Sequence, residues 1–161
     1  MPTINGKACV VNGTPVDKVF SDGKQVYGRN LLIGSTNNAV HYNSTNGYTV
    51  WKSYVTKFNI GDTLNISADI TSNSGNTVLK VFFLSSTGSQ VDYLEYRLSE
   101  GQTAHAFVSK TIPTGTASIL VQIDNSNVNG VGQADVCAIS HQFANTGVMA
   151  TPWTPAPEDV M

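Results

Sequence analysis

Apolar residues recur at every second position along much of this chain, and that period admits one kind of secondary structure. Leu64, Ile66, Ala68 and Ile70 alternate with Asn65, Ser67 and Asp69. Ile119, Val121 and Ile123 alternate with Leu120, Gln122 and Asp124. Successive side chains of an extended strand point to opposite faces, so such runs bury one face and wet the other. Residues 78–84 are apolar except for Lys80, the pattern of a central strand covered on both faces. Further strands are predicted over residues 49–58, 92–98, 104–112 and 134–143. Turn-forming clusters separate them at 72–76, 85–89, 99–101, 113–115 and 125–130. No window keeps an apolar 3.6-residue period for three turns, so no substantial helix is expected. Many short strands at this spacing predict an all-β fold, a β-sandwich of the jelly-roll kind.

Residues 1–28 read differently. Val10-Val11 is followed by Asn12-Gly13, and Val19-Phe20 by Ser21-Asp22-Gly23-Lys24 and then Gln25-Val26-Tyr27. Asn-Gly and Asp-Gly supply the positive φ angles of tight hairpin turns. Ile4-Asn5-Gly6 and Val11-Asn12-Gly13 echo each other. These pieces are too short for a core of their own. Residues 1–28 are therefore expected to be an N-terminal arm or linker, and residues 29–161 the jelly-roll module.

Composition excludes several functions. Charged residues make up 12% of the chain and the net charge is −2, so no strong field draws nucleic acid or anionic lipid. Solubility rests on neutral groups, with 15 Asn, 17 Thr and 15 Ser, which suits neutral polyhydroxylated ligands. Cys9 and Cys137 form no multi-bridge framework, and Cys137 is expected to be a small buried residue within its strand. No apolar run is long enough for membrane insertion. The first residues show no basic patch before an apolar stretch, so no signal peptide is visible. A protein of this kind that works outside a cell would leave by another route, such as lysis.

Catalysis finds little support. There is no Gly-x-Ser-x-Gly elbow, and His41, His105 and His141 are scattered without zinc spacing, as satisfied or surface strand residues are. Glycoside hydrolysis needs two facing carboxylates. Alternation sends Asp92 and Glu95 to opposite faces, whereas Asp69 and Asp124 could share one. Phosphate-cradling glycine loops are missing, and the nine Lys and Arg residues are unclustered. Asp124, Asn125, Asn127 and Asp135 are oxygen donors for a hard cation, but at the spacing of no defined loop. An ordinary polar turn is the simpler reading, and no cofactor is expected.

Sugar recognition asks for less: a flat ring against the C–H face of a pyranose, with amides and carboxylates on its hydroxyls. Tyr48, Trp51 and Tyr54 cluster, as do Tyr93, Tyr96 and Arg97. Alternation places Tyr48 and Tyr54 on one face and Trp51 on the other, and one of these faces can simply be core. Outward polar partners are expected from Asn65, Asp69, Lys80, Gln122, Asp124 and Asn125, with residues 125–130 as a rim. The expected ligand contacts are Tyr48, Trp51, Tyr54, Tyr93, Tyr96, Arg97, Gln122, Asp124 and Asn125.

Four segments then carry a resemblance. They are Gly28-Arg-Asn-Leu-Leu-Ile-Gly-Ser35, Asn59-Ile-Gly-Asp-Thr-Leu-Asn-Ile-Ser-Ala-Asp69, residues 111–121, and Ala150-Thr-Pro-Trp-Thr-Pro-Ala-Pro-Glu-Asp159. Together they make the chain similar to carbohydrate-binding modules of tail and baseplate proteins in phages of Gram-positive, above all lactic acid, bacteria. It most resembles the modules inserted in enlarged distal tail proteins, and the Val19-to-Gly28 arm looks like the connector before them. The resemblance implies a jelly roll at a virion tail tip that binds host cell-surface polysaccharide and has other phage tail proteins as partners. Trp153, within the closing motif, is expected to pack against the sandwich end. A baseplate spacer that binds no glycan, and a glycan-degrading enzyme, are the rival readings.

Overall fold

The alternating runs become strands in a computed structural model that describes residues 10–11, 14–16, 18–44, 48–126, 133–147, 153–156 and 159. In chain order these are β1 (Val10–Val11), β2 (Thr14–Pro15), β3 (Lys18–Ser21), β4 (Lys24–Gly28), β5 (Val40–Tyr42) and β6 (Thr49–Tyr54). There follow β7 (Thr63–Ser72), β8 (Asn76–Leu84), β9 (Gln90–Leu98), β10 (Thr103–Thr111), β11 (Ser118–Ser126) and β12 (Cys137–Thr146). Against expectation, β6 stops four residues early and β12 starts and ends three residues late, because the pairing register, not apolarity, sets the ends.

Two four-stranded sheets form, β10-β7-β12-β5 and β6-β11-β8-β9. Their pairings are all antiparallel. From β5 to β12, only β8 and β9 are both consecutive and paired, and every other connection crosses between the sheets. That wrapping is the jelly roll. The described residues before β5 add two small ribbons, β1-β2 and β3-β4. Asp22 and Gly23 turn the second with φ of 49° and 75°, the positive pair the Asp-Gly signal predicts. Cys9, the Asn12-Gly13 turn and the residue 4–6 echo lie outside the described residues. No helix among the described residues is long and apolar enough to cross a membrane.

The core is the seam between sheets. Leu64, Ile66, Ala68 and Ile70 of β7 join Leu79, Val81 and Phe83 of β8 and Ile119, Val121 and Ile123 of β11 in one buried cluster. Each large aliphatic or aromatic side chain buried there contributes about 1.5–3 kcal/mol. Residues 78–84 depart from expectation. β8 is interior to its sheet, but only one face enters the core; Lys80 and Phe82 on the other are half-buried among their own sheet neighbours. A second correction concerns Asp69 and Asp124, which share no face because β7 and β11 belong to different sheets. Asn65 goes with Asp69, away from Lys80 and Gln122.

Cys137 is fully buried, and burial pushes its thiol up to about 12. A thiolate is the reactive form. In a Cys9→Ser variant, Cys137 should therefore react with a disulfide reagent only as fast as the protein unfolds. Rapid labelling at pH 8 without denaturant would contradict this packing.

The opening and closing motifs meet. Asn30 is fully buried, and its Nδ2 donates to Gln142 O (2.9 Å), Thr154 O (3.0 Å) and Ser35 Oγ (3.1 Å). Its Oδ1 accepts from Leu32 N and Ala144 N, both at 3.1 Å. Gly34 N donates to the Asp159 carboxylate at 3.0 Å, and Trp153 Nε1 to Gln142 O at 3.2 Å. Trp153 also meets the His141 ring edge-on at 5.1 Å. The closing motif thus lies against β12, where a bulge between Ser140 and Phe143 exposes a backbone carbonyl to it.

Candidate functional site

The outer face of the β6-β11-β8-β9 sheet gathers most of the predicted contact residues. Register arranges them in three rows across four strands. Tyr54, Leu120, Phe82 and Tyr93 form the first; Lys52, Gln122, Lys80 and Glu95 the second; Thr49, Asp124, Val78 and Arg97 the third. Rows two residues apart lie about 7 Å from each other. One end is thus an aromatic and apolar ledge, and the other is polar.

The ledge is built by stacking. Tyr54 is 55% exposed, and the Phe82 and Tyr93 rings lie 5.1 Å apart at 37°. Apolar side chains on this wet face shelter against cross-strand neighbours rather than a second layer. Tyr48 stands beside the polar end, 56% exposed, with φ of 68° and its carbonyl accepting from Asn125 N at 2.8 Å.

The polar rows are internally braced. Asp124 accepts from Thr49 Oγ1 (2.7 Å), Lys80 Nζ (2.7 Å) and Gln122 Nε2 (3.0 Å). Tyr93 OH donates to Glu95, which also accepts from Arg97 at 3.2 Å. Burial, reinforced by the Glu95 carboxylate, pushes the Tyr93 phenol up to about 12. The Tyr93 hydrogen bond holds Glu95 below its ordinary value. These hydrogen bonds brace the side chains against one another, and such bracing lowers the ordering cost of a binding event.

Three predicted residues lie on the core side. Asn125 is fully buried, donating to Ser74 O (2.8 Å) and Thr77 Oγ1 (2.9 Å), a correction that follows from parity: as Asp124 faces out, its neighbour must face in. Trp51, level with Ile123, and Tyr96, level with Leu79, are half-buried against the core cluster. The sequence reading missed Thr49, Lys52, Phe82 and Glu95 as members of this face, whereas alternation sets Leu120 with Gln122 and Asp124. Odd-even parity against Val81 was the available signal for Phe82. Residues 127–130 of the expected rim, Asn127 among them, lie outside the described residues.

The other carboxylates are engaged elsewhere. Asp69 faces both His105 (2.6 Å) and His141 (2.8 Å), and Asp135 faces His41 (2.6 Å), around the opposite sheet. Among the described residues, no group of three or more His, Cys, Asp or Glu side chains is arranged to hold a metal ion. Asp92, on the face opposite Glu95 as expected, pairs with Lys110 at 2.6 Å.

These pairings predict a pH profile. Asp92 is held below its ordinary carboxylate value by Lys110, Glu95 by Tyr93, and Asp135 by His41. Their contribution is present above the unfolded value and lost as pH falls through the folded one. Tyr93 and Cys137, both raised, contribute below their unfolded values and lose this as pH climbs toward about 12. The urea midpoint should therefore fall below about pH 4 and above about pH 9. A midpoint that rises on acidification from pH 5 to pH 3 would reverse the sign.

No family model matches the chain, and no curated protein matches it. Solved structures do resemble it. The enzymatically active domain of tailspike protein 4 of bacteriophage CBA120 aligns with 60% of this chain and 13% of its own, at 16% identity and a TM-score of 0.48. A CBM4 structure aligns with 68% of this chain and 70% of its own, at 10% identity and a TM-score of 0.48. The arabinose-bound MgGH51 α-L-arabinofuranosidase aligns with 72% of this chain and 21% of its own, at 16% identity and a TM-score of 0.44. The chain thus spans a small part of the tailspike and arabinofuranosidase chains.

Proposed function

We propose that this protein is a non-catalytic carbohydrate-binding module of a phage tail tip, which recognises host cell-wall polysaccharide during adsorption. The observation that carries the reading is the exposed aromatic ledge set beside a braced hydrogen-bonding surface on one sheet face. Tyr54 and Tyr93 would stack on sugar rings; Gln122 and Arg97 would meet hydroxyls, with the buried Asp124 bracing Gln122 from beneath; Tyr48 would flank them. Residues 1–28 would serve as the arm that joins the module to other tail proteins. The motif resemblance at residues 28–35 and 150–159 supports the virion setting.

Binding fits this face better than hydrolysis does. A glycosidase keeps one carboxyl protonated as its acid. Glu95 is instead held ionised by Tyr93, and Asp124 already accepts from three side chains. Single-site affinity would be weak, and several copies around a tail would raise it through effective concentration. A fluorescent fusion added to cells of candidate Gram-positive hosts tests the proposal. Decoration that purified wall polysaccharide competes away is expected. Binding to no host's cells, with tight binding to another tail protein, would favour the spacer reading instead.

A further inference from the structure

Resting on that reading, we propose that the crossover from β9 to β10 forms a second saccharide subsite, which takes one neutral sugar unit of the chain lying on the platform. β9 and β10 are outermost strands of opposite sheets, so no further strand flanks their inward residues. At one end of this open edge, Lys110 Nζ meets Asp92 across the gap at 2.6 Å and closes it. At the other end, residues 99–102 carry the chain between sheets, and the inward position of β10 holds only Ala104. A cleft of about 330 Å³ remains there, lined by Tyr96, Arg97, Leu98, Gln102, Thr103 and Ala104.

Its chemistry matches a single sugar ring. The volume of about 330 Å³ sits at the low end of the roughly 300–1,000 Å³ of ligand sites, enough for one unit and not for a chain. Tyr96 supplies an aromatic wall, and buried Leu98 with Ala104 an apolar floor. Gln102 Oε1 accepts from Ser99 N at 2.7 Å, which orients its amide N–H groups, and the Thr103 hydroxyl is fixed against Thr71 Oγ1 at 3.0 Å. Arg97 is the cation of the lining, and Glu95 is bound to it, so the cleft favours a neutral ligand. Arg97 also ends the third row of the platform, which makes the two surfaces continuous.

The test uses size-fractionated oligosaccharides cut from the wall polysaccharide of a host that the wild-type protein decorates, titrated calorimetrically. Ala104→Leu fills the cleft floor, and Thr103→Lys crowds its exposed rim without touching the core. Both should leave the shortest binding fragments unaffected and weaken the longer ones about tenfold, a change of one decade in Kd. Tyr54→Ala should weaken every length. If either folded cleft variant binds long fragments as wild type does, the subsite is overturned while the platform stands. If the wild-type protein binds no fragment, both readings fall.

Discussion

Asn30→Leu should lower the unfolding free energy by about 3–5 kcal/mol, more than an average core truncation. The replacement preserves size but leaves five buried or half-buried partners to find new ones: the N–H groups of Leu32 and Ala144, the carbonyls of Gln142 and Thr154, and the Ser35 hydroxyl. Each buried group left unsatisfied costs about 1–3 kcal/mol, and water or local relaxation recovers part of the total. Asn30→Asp separates the two halves of the interaction. A carboxylate can still accept from Leu32 N and Ala144 N but cannot donate to the two carbonyls, so it too should destabilise. Urea unfolding with an unchanged m-value would read both effects. A loss under about 1 kcal/mol for Asn30→Leu would mean that the clasp between the opening and closing motifs is ornamental.

The clasp ties together two motifs 115 or more residues apart in the chain, since one buried amide contacts both. Nothing in the spacing of Asn30 and Thr154 announces it. Period-two alternation, by contrast, made the strands and the sandwich legible, since burying one face of each strand dictates that pattern. Alternation reports which side of its own sheet a residue takes, but not which sheet the strand joins. Asp69 and Asp124 were separated by that gap. It also fails where a strand bulges: β6 has an extra residue between Trp51 and Thr49 where β11 passes from Ile123 to Asp124. Tyr48 is exposed as expected, but through its positive φ before the strand rather than by parity with Tyr54. Apolar residues on a wet face were the other blind spot. Phe82 lies in a run that reads as covered on both faces, and the cross-strand register sets it beside Leu120 in the aromatic ledge.

Removing that ledge should produce the largest functional loss. Tyr54→Ala and Tyr93→Ala each truncate a ring that a sugar would cover, and a hot-spot truncation costs about 2 kcal/mol, or roughly thirtyfold in Kd. The double variant should abolish visible decoration of cells, because avidity multiplies a weak single-site affinity and collapses with it. The two rings differ in what else they do. Tyr54, on the edge strand and more than half exposed, should lose binding with stability within about 0.5 kcal/mol of wild type. Tyr93 packs on Phe82 and donates to Glu95, so its loss should also lower the urea midpoint. Tyr93→Phe separates these roles, keeping the ring while releasing Glu95. Binding retained in Tyr93→Phe and lost in Tyr93→Ala identifies the ring face as the contact. Trp51→Phe serves as the control from the core side: it should shift stability and leave binding by the folded protein intact. If Trp51→Phe erases decoration while Tyr54→Ala preserves it, the ligand lies elsewhere than on this face.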